Sequence, residues 1–567
     1  MGRYKQKYLY ISLILIGLSI SSAEESSSSS SSSPETLELS SSLGKLKGSF
    51  MTSRLGKKIY SFRGIRYAEP PVGQRRFQPA EPVKPWTEVF DASEEGPACP
   101  QPETKLMSED CLRLNVYTNE LPDQDKEVKK PVIVFFHPGG FYVRSGQSDL
   151  EGPEYLLDKD IVLVTVNYRL GSLGFMSTGD SLLPGNLGLK DQVIALRWVR
   201  DNIKEFGGDQ NSVTITGYSA GSWSVSLHLV SPMSKGLFHK AIAMSGSAIY
   251  QKPLPMEQKN LATKQAEILG CPTDTVGNML ICMNTKTAEE FANSLPHFFE
   301  WHGDPILVWT PVVEPEVNGV ERFLPDDPVK LISEGNFSQV PFIGGFNKDE
   351  FGGVILLPIS EAKKGNNSLF DEWNTNWDHI APISFLYERD TNRSKEISKE
   401  LYEFYNHNKP IDLNNLQGIA DLYCDGVIAY SEHRLVNLLA SSSKMPIYYY
   451  HFMYQGRYSH VVDPETQKPY GVSHHDDLMY LFYIKKFPFF KEDDPEITTV
   501  ERMTAIWENF AKTGKPIPEE NDLFKNVTWE KFTSDNKRYL EISNELTMKD
   551  GVIYPERMNL WDKLFPL

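Results

Sequence analysis

The pentapeptide Gly217-Tyr218-Ser219-Ala220-Gly221 lies between a strand-like run, residues 212–216 (SVTIT), and a helix-like run, residues 222–230. No other feature constrains the fold as strongly. A G-x-S-x-G serine entered from a strand and left through a helix reads as a sharp turn that exposes its hydroxyl at the carboxyl edge of a sheet. The pentapeptide alone is short enough to arise by chance; its context gives it weight. The backbone N–H of Ala220 then opens a helix, where the dipole favours developing negative charge. A second set of donors is expected after an earlier strand. Residues 131–136 (PVIVFF) run into His137-Pro138-Gly139-Gly140-Phe141. Pro138 has no N–H, so Gly139 and Gly140 must supply the donors, and glycine lets the backbone approach a substrate oxygen closely. Without the serine turn downstream, this segment would read as an ordinary glycine-rich turn.

Residues 161–167 (IVLVTVN) form another β-branched run, and residues 193–206 carry apolar side chains at helical spacing before Gly207-Gly208. Upstream of residue 131 the chain reads as turn-rich. Alternating buried strands and helices predict an α/β fold with a mostly parallel central sheet covered by helices on both faces. No internal repeat is present, and no linker splits residues 37–567, so a single large domain is expected. A chain of 567 residues can bury a sizeable core. Its formal net charge of −17 argues against nucleic acid or an anionic membrane surface as partner.

Residues 1–23 read as a secretory leader: Arg3, Lys5 and Lys7, then an apolar stretch over 8–20, then Ser21 and Ala23 at a cleavage site. The apolar stretch is short for a membrane span, and no other stretch is long and apolar enough to serve as a transmembrane anchor. Residues 24–36 contain an unbroken serine run and are expected to be a disordered tether. An extracellular chain sees an oxidising space, where the close spacing of Cys99 with Cys111 and of Cys271 with Cys282 allows two local disulfides. Loops of this length would each contribute roughly 3 kcal/mol on a chain-entropy model. Cys424 is left over and reads as a buried free thiol. Four glycosylation sequons occur, at Asn336, Asn366, Asn392 and Asn526.

Further motifs carry a family resemblance. Glu109-Asp110-Cys111-Leu112-Arg113-Leu114-Asn115 is similar to the E-D-C-L-x-L-N signature of the type-B carboxylesterases, which include the cholinesterases. Phe62-Arg63-Gly64-Ile65-Arg66-Tyr67-Ala68, Pro70-Pro71-Val72-Gly73, Asn167-Tyr168-Arg169 and the block from Gly185 to Gln192 resemble further family blocks. The resemblance runs from about residue 44 to the C-terminus and is strongest to secreted insect carboxylesterases. It implies an α/β-hydrolase fold and the disulfides Cys99–Cys111 and Cys271–Cys282. It also implies an acid and a histidine after the serine. Residues 340–345 (VPFIGG) lead into Phe346-Asn347-Lys348-Asp349-Glu350, which looks like the family's acid loop with Glu350 as the acid and Asp349 as its competitor. Seven histidines follow: His379, His407, His433, His451, His460, His474 and His475. Gly471-Val472-Ser473-His474-His475-Asp476-Asp477-Leu478 resembles the histidine loop, and the match falls on His474, with His475 one residue away. Ser245 resembles a serine near the acid; an inert core serine is an equal reading.

The expected chemistry is serine ester hydrolysis through an acyl-enzyme, with Ser219, Glu350 and His474 as triad and Gly139, Gly140 and Ala220 as oxyanion donors. It needs no metal or other cofactor, and its partner is a small-molecule ester. A choline site is not supported, because the residues between Cys99 and Cys111 (PQPETKLMSED) hold no aromatic ring; Trp86 precedes that loop and is expected to pack in the core. Apolar esters of xenobiotic, odorant or lipid origin are the expected substrates. A juvenile hormone esterase-like hydrolase is the alternative, although Tyr218 stands where those enzymes usually carry glutamine. A ligand-sequestering or adhesion-type binding protein is the alternative from another class. Trp223, just past the serine, is expected to pack its helix. Oligomeric state has no signature in the sequence.

Overall fold

The structure, a computed structural model, describes residues 36–123, 126–518 and 522–567. The leader read over 1–23 and the serine run lie outside the described residues. Thirteen strands form one sheet: β1 (Leu37–Ser41), β2 (Gly44–Thr52), β3 (Lys58–Arg66), β4 (Phe90–Asp91), β5 (Arg113–Thr118), β6 (Lys130–Phe136), β7 (Val162–Val166), β8 (Gly208–Tyr218), β9 (Lys240–Met244), β10 (Phe342–Asn347), β11 (Ile447–Phe452), β12 (Arg538–Ile542) and β13 (Leu546–Asp550). Their order is β1-β2-β3-β5-β7-β6-β8-β9-β10-β11-β12-β13, with β4 paired to β2. The central run from β7 to β12 is parallel throughout. The N-terminal strands β1, β2, β3 and β5 join it antiparallel, as does β13 at the other edge. The turn-rich reading of the N-terminal region is thus corrected: those residues extend the sheet.

The parallel centre follows from its side chains. In β6 every residue is buried; Val132, Val134 and Phe136 join one core while Ile133 and Phe135 join the other. The first core takes helices α1 (Leu187–Asn202) and α2 (Ala220–Val230), through residues such as Leu196 and Val225. The second takes α3 (Ile497–Thr513), through Met503, Trp507 and Phe510. A strand buried on both faces needs a continuous apolar run, which β6 and β7 have.

The sequence blocks that carry the family resemblance are joints between layers. Arg169, after β7, forms a buried ion pair with Asp191 of α1 (2.7 Å) and donates to Gln78 O at 2.8 Å. Lys190 pairs with Glu314 at 2.6 Å, and Asn186 donates to the same carboxylate at 2.9 Å. Asn115 accepts from Gly64 N (2.8 Å) and donates to Gly146 O (2.7 Å), closing the β-bulge between Phe62 and Ile65. These buried charges are tolerated because each meets an opposite charge.

Candidate active site

Register places the relevant loops on one edge. Phe136 pairs with Gly217, Tyr218 with Met244, and Met244 with Gly345, so β6, β8, β9 and β10 end together at their carboxyl ends. This is where open parallel sheets hold their ligands. Ser219 follows β8 with φ 54° and ψ −116°, a backbone region that costs a non-glycine residue about 1–3 kcal/mol. Its neighbours explain the flanking glycines. A Cβ on Gly217 would lie 2.3 Å from the Gly221 backbone, and one on Gly221 would lie 2.0 Å from Phe136 O. The strained turn is held by Ser219 N donating to Met244 O and Trp223 N donating to Ser219 O, both at 2.9 Å. Ser219 is 8% exposed, and among the described residues its hydroxyl has no hydrogen-bond partner.

The Gly139-Gly140 segment leaves β6 beside it. Gly139 has φ 114°, and a Cβ there would meet Val143 O at 2.1 Å. The amides of Tyr142 and Val143 donate back to Gly139 O at 3.0 Å, which fixes the loop. The N–H groups of Gly139, Gly140 and Ala220 donate to no acceptor among the described residues, so all three remain available to an oxyanion. Trp223 packs as expected, its ring 4.9 Å from that of Tyr250 and 6.3 Å from that of Phe141. Tyr250 in turn lines a cavity of about 410 Å³, walled by Phe298, Leu307 and Leu386 with Lys252 and Arg389 at its polar side.

Glu350 is fully buried. Its Oε1 accepts from Ser245 Oγ (2.7 Å) and Asn347 N (2.6 Å), and its Oε2 meets His474 Nδ1 at 2.5 Å. His474 N donates to Glu350 O at 3.0 Å, so backbone and side chain both tie the histidine to the acid. With Nδ1 donating to a carboxylate, Nε2 carries the lone pair, and it has no partner among the described residues. Such a nitrogen can take a proton from a nearby hydroxyl once substrate orders the site. Asp349 points elsewhere: its carboxylate accepts from Val472 N at 2.8 Å and braces the histidine loop. His475 also does other work, for its amide donates to Tyr218 OH at 2.9 Å with the residue at φ 77°.

Burial sets the other charges. His137, against the Gly139 loop, is held down to about 3 by desolvation and stacks on Tyr168 at 4.4 Å, so it stays neutral. Burial pushes Asp476 up to about 8, against hydrogen bonds from Ser459 Oγ, His460 N and Ser473 N. Asp477 is pushed up to about 7 by burial and then by the charge of Glu350. Among the described residues no group of three or more His, Cys, Asp or Glu side chains is arranged to hold a metal ion, and no helix is long and apolar enough to cross a membrane. Cys99–Cys111 and Cys271–Cys282 are disulfide-bonded, and Cys424 is a buried free thiol. All four sequon asparagines are exposed. Trp86 is half-buried, its ring 5.0 Å from Phe90. Sequence reasoning missed Asn347, whose one signal is its place three residues before Glu350.

The mostly parallel sheet with helices on both faces is the α/β-hydrolase fold. A model of the carboxylesterase family matches residues 34–561. The chain is 38% identical to esterase FE4 of Myzus persicae over 519 residues, 89% of each chain. It is 37% identical to a juvenile hormone esterase of Tribolium castaneum over 512 residues, 86% of this chain and 85% of that one. The crystal structure of juvenile hormone esterase from Manduca sexta, with OTFP covalently attached, superposes with a TM-score of 0.82 at 28% identity, over 94% of this chain and 100% of that one. The chain belongs to the carboxylesterase family and is a carboxylic ester hydrolase.

Proposed function

We propose that the protein is exported and hydrolyses apolar carboxylic esters through an acyl-enzyme on Ser219. The observation that carries this reading is the Glu350–His474 contact of 2.5 Å, which leaves a buried, unpartnered Nε2 at the sheet edge where Ser219 emerges. His474 takes the Ser219 proton as the Oγ–carbon bond forms. The oxyanion is met by the N–H groups of Gly139, Gly140 and Ala220. The alcohol departs with the proton from His474. Water then adds to the acyl carbon, passes a proton to His474, and the acid leaves as Ser219 regains its own. Glu350 holds the imidazole tautomer and offsets its transient positive charge. The leader-like N-terminus, the disulfides and the exposed sequons support export. The domain is taken as residues 37–567.

The test is hydrolysis of p-nitrophenyl acetate and butyrate by the wild type and by Ser219→Ala. Turnover in the wild type with a loss of at least 10³-fold in the variant supports the reading. Equal inactivity of two folded proteins points instead to a binding protein or to a substrate unlike these esters. The likeness to two juvenile hormone esterases favours a second reading, hydrolysis of juvenile hormone. A kcat/KM for that ester well above the value for butyrate esters decides for it.

A further inference from the structure

Each of the three segments that carry the proposed triad also contributes one fully buried polar side chain to a common point. Tyr218 ends β8, immediately before Ser219. Asn347 ends β10, three residues before Glu350. Asp477 lies three residues after His474. All three are 0% exposed. Asn347 Nδ2 lies 3.2 Å from Tyr218 OH, 3.0 Å from Asp477 Oδ1 and 2.8 Å from Ser473 O. Tyr218 OH also accepts the His475 amide at 2.9 Å, and the other Asp477 oxygen, Oδ2, accepts from Tyr450 OH at 3.4 Å. The Tyr218 ring packs against both histidines, its centroid 5.0 Å from each, while the two imidazoles lie 4.4 Å from one another.

We propose that Tyr218, Asn347 and Asp477 form a positioning hub that sets the distance between Ser219 and His474, with the Tyr218 hydroxyl as its joint. This rests on the assignment of those two residues under the proposed function. The same Asn347 whose backbone N–H holds Glu350 also ties β10 to β8 and to the histidine loop through its side chain. The His475 amide is turned inward by the positive φ of its residue and finds its acceptor in Tyr218. A phenylalanine would fill the same volume but leave that buried donor unsatisfied, and the loop would relax to recover a partner. His474 would move with it. All three side chains are fully buried and act through the backbone and side chains they hold, so they are positioning residues. A displacement of about 1 Å in a reacting group is enough to cost on the order of 100-fold in rate.

The experiment compares wild type, Tyr218→Phe, Asp477→Asn and the double variant on p-nitrophenyl butyrate. It also records the downfield proton resonance of His474 Nδ1–H against Glu350, assigned by its absence from His474→Asn. The hub predicts a loss of about 10–100-fold in kcat for Tyr218→Phe with KM within about twofold. It predicts a shifted or broadened downfield resonance, and a double variant no worse than the poorer single one. A kcat within twofold of wild type with an unmoved resonance overturns it, as does a double variant whose losses multiply. If Tyr218→Phe does not fold, the isosteric Asp477→Asn is judged by kcat, KM and the resonance. The resonance needs no turnover. Wild-type inactivity toward every ester would therefore count against the esterase reading alone, while the resonance still decides the hub.

Discussion

Ser245 donates to Glu350 Oε1 at 2.7 Å, and Asn347 N donates to the same oxygen at 2.6 Å. Ser245→Ala removes the first bond and leaves the second. A hydrogen bond to a buried charged group contributes about 1.5–3 kcal/mol, and the site excludes water, since both residues are 0% exposed. Scaled to a chain of 567 residues, unfolding entropy is about 1.2 kcal/mol/K, so this loss lowers Tm by about 1–3 °C. The effect on kcat is smaller than the energy suggests. The bond is made to the carboxylate both before and during proton transfer, so most of its loss is uniform. Oε2 stays on His474 because Asn347 N still anchors Oε1. The expected outcome is a fall of less than tenfold in kcat, with KM unchanged. Scanning calorimetry and initial rates on p-nitrophenyl butyrate read both quantities. An unchanged Tm would refute the claim that Ser245 stabilises the acid. A loss of 10³-fold in kcat in a folded variant would refute the claim that Ser245 acts only through Glu350.

Two further outcomes follow from the same geometry. Gly221→Ala puts a Cβ 2.0 Å from Phe136 O, a backbone atom of β6 that cannot turn away, so the turn around Ser219 cannot close; a soluble variant with wild-type esterase activity would contradict this. Asp304 is pushed up to about 6 by burial; its Oδ2 accepts from Ser384 Oγ and Tyr423 OH while Oδ1 has no partner among the described residues. Because the folded value lies above the unfolded one, ionisation opposes folding: the cost is absent below pH 4, grows between pH 4 and 6, and is complete above, at about 3 kcal/mol. Asp304→Asn keeps an acceptor for both hydroxyls and carries no charge, so it should gain stability over wild type as pH rises from 4 to 7, and denaturation midpoints that differ by the same amount at both pH values would refute the assignment.

What the sequence made legible is what local geometry dictates. The turn around Ser219 was readable because its glycines answer short-range contacts with Phe136 and with each other, and a strand and a helix adjoin it in the chain. The boundaries failed where burial is polar. Helix α1 starts at Leu187, not at residue 193, because Lys190, Asp191 and Gln192 are buried through ion pairs and hydrogen bonds to distant residues, so apolar periodicity is silent there. β8 starts at Gly208, not at residue 212, because Gly208 pairs with Lys130 of β6 and the polar residues 209–211 fall within the register shift before Val213 meets Val132. The choice between His474 and His475 is the clearest limit. Two adjacent imidazoles have the same chemistry, and the local sequence contains nothing that turns one toward Glu350. That selection is made by Tyr218, more than 250 positions away, which takes the amide of His475, and by Glu350 O, which takes the amide of His474. A residue's role at this sheet edge is therefore fixed by which distant group its own backbone amide meets. For that reason the hub of Tyr218, Asn347 and Asp477 emerges only once β8, β10 and the histidine loop are seen side by side.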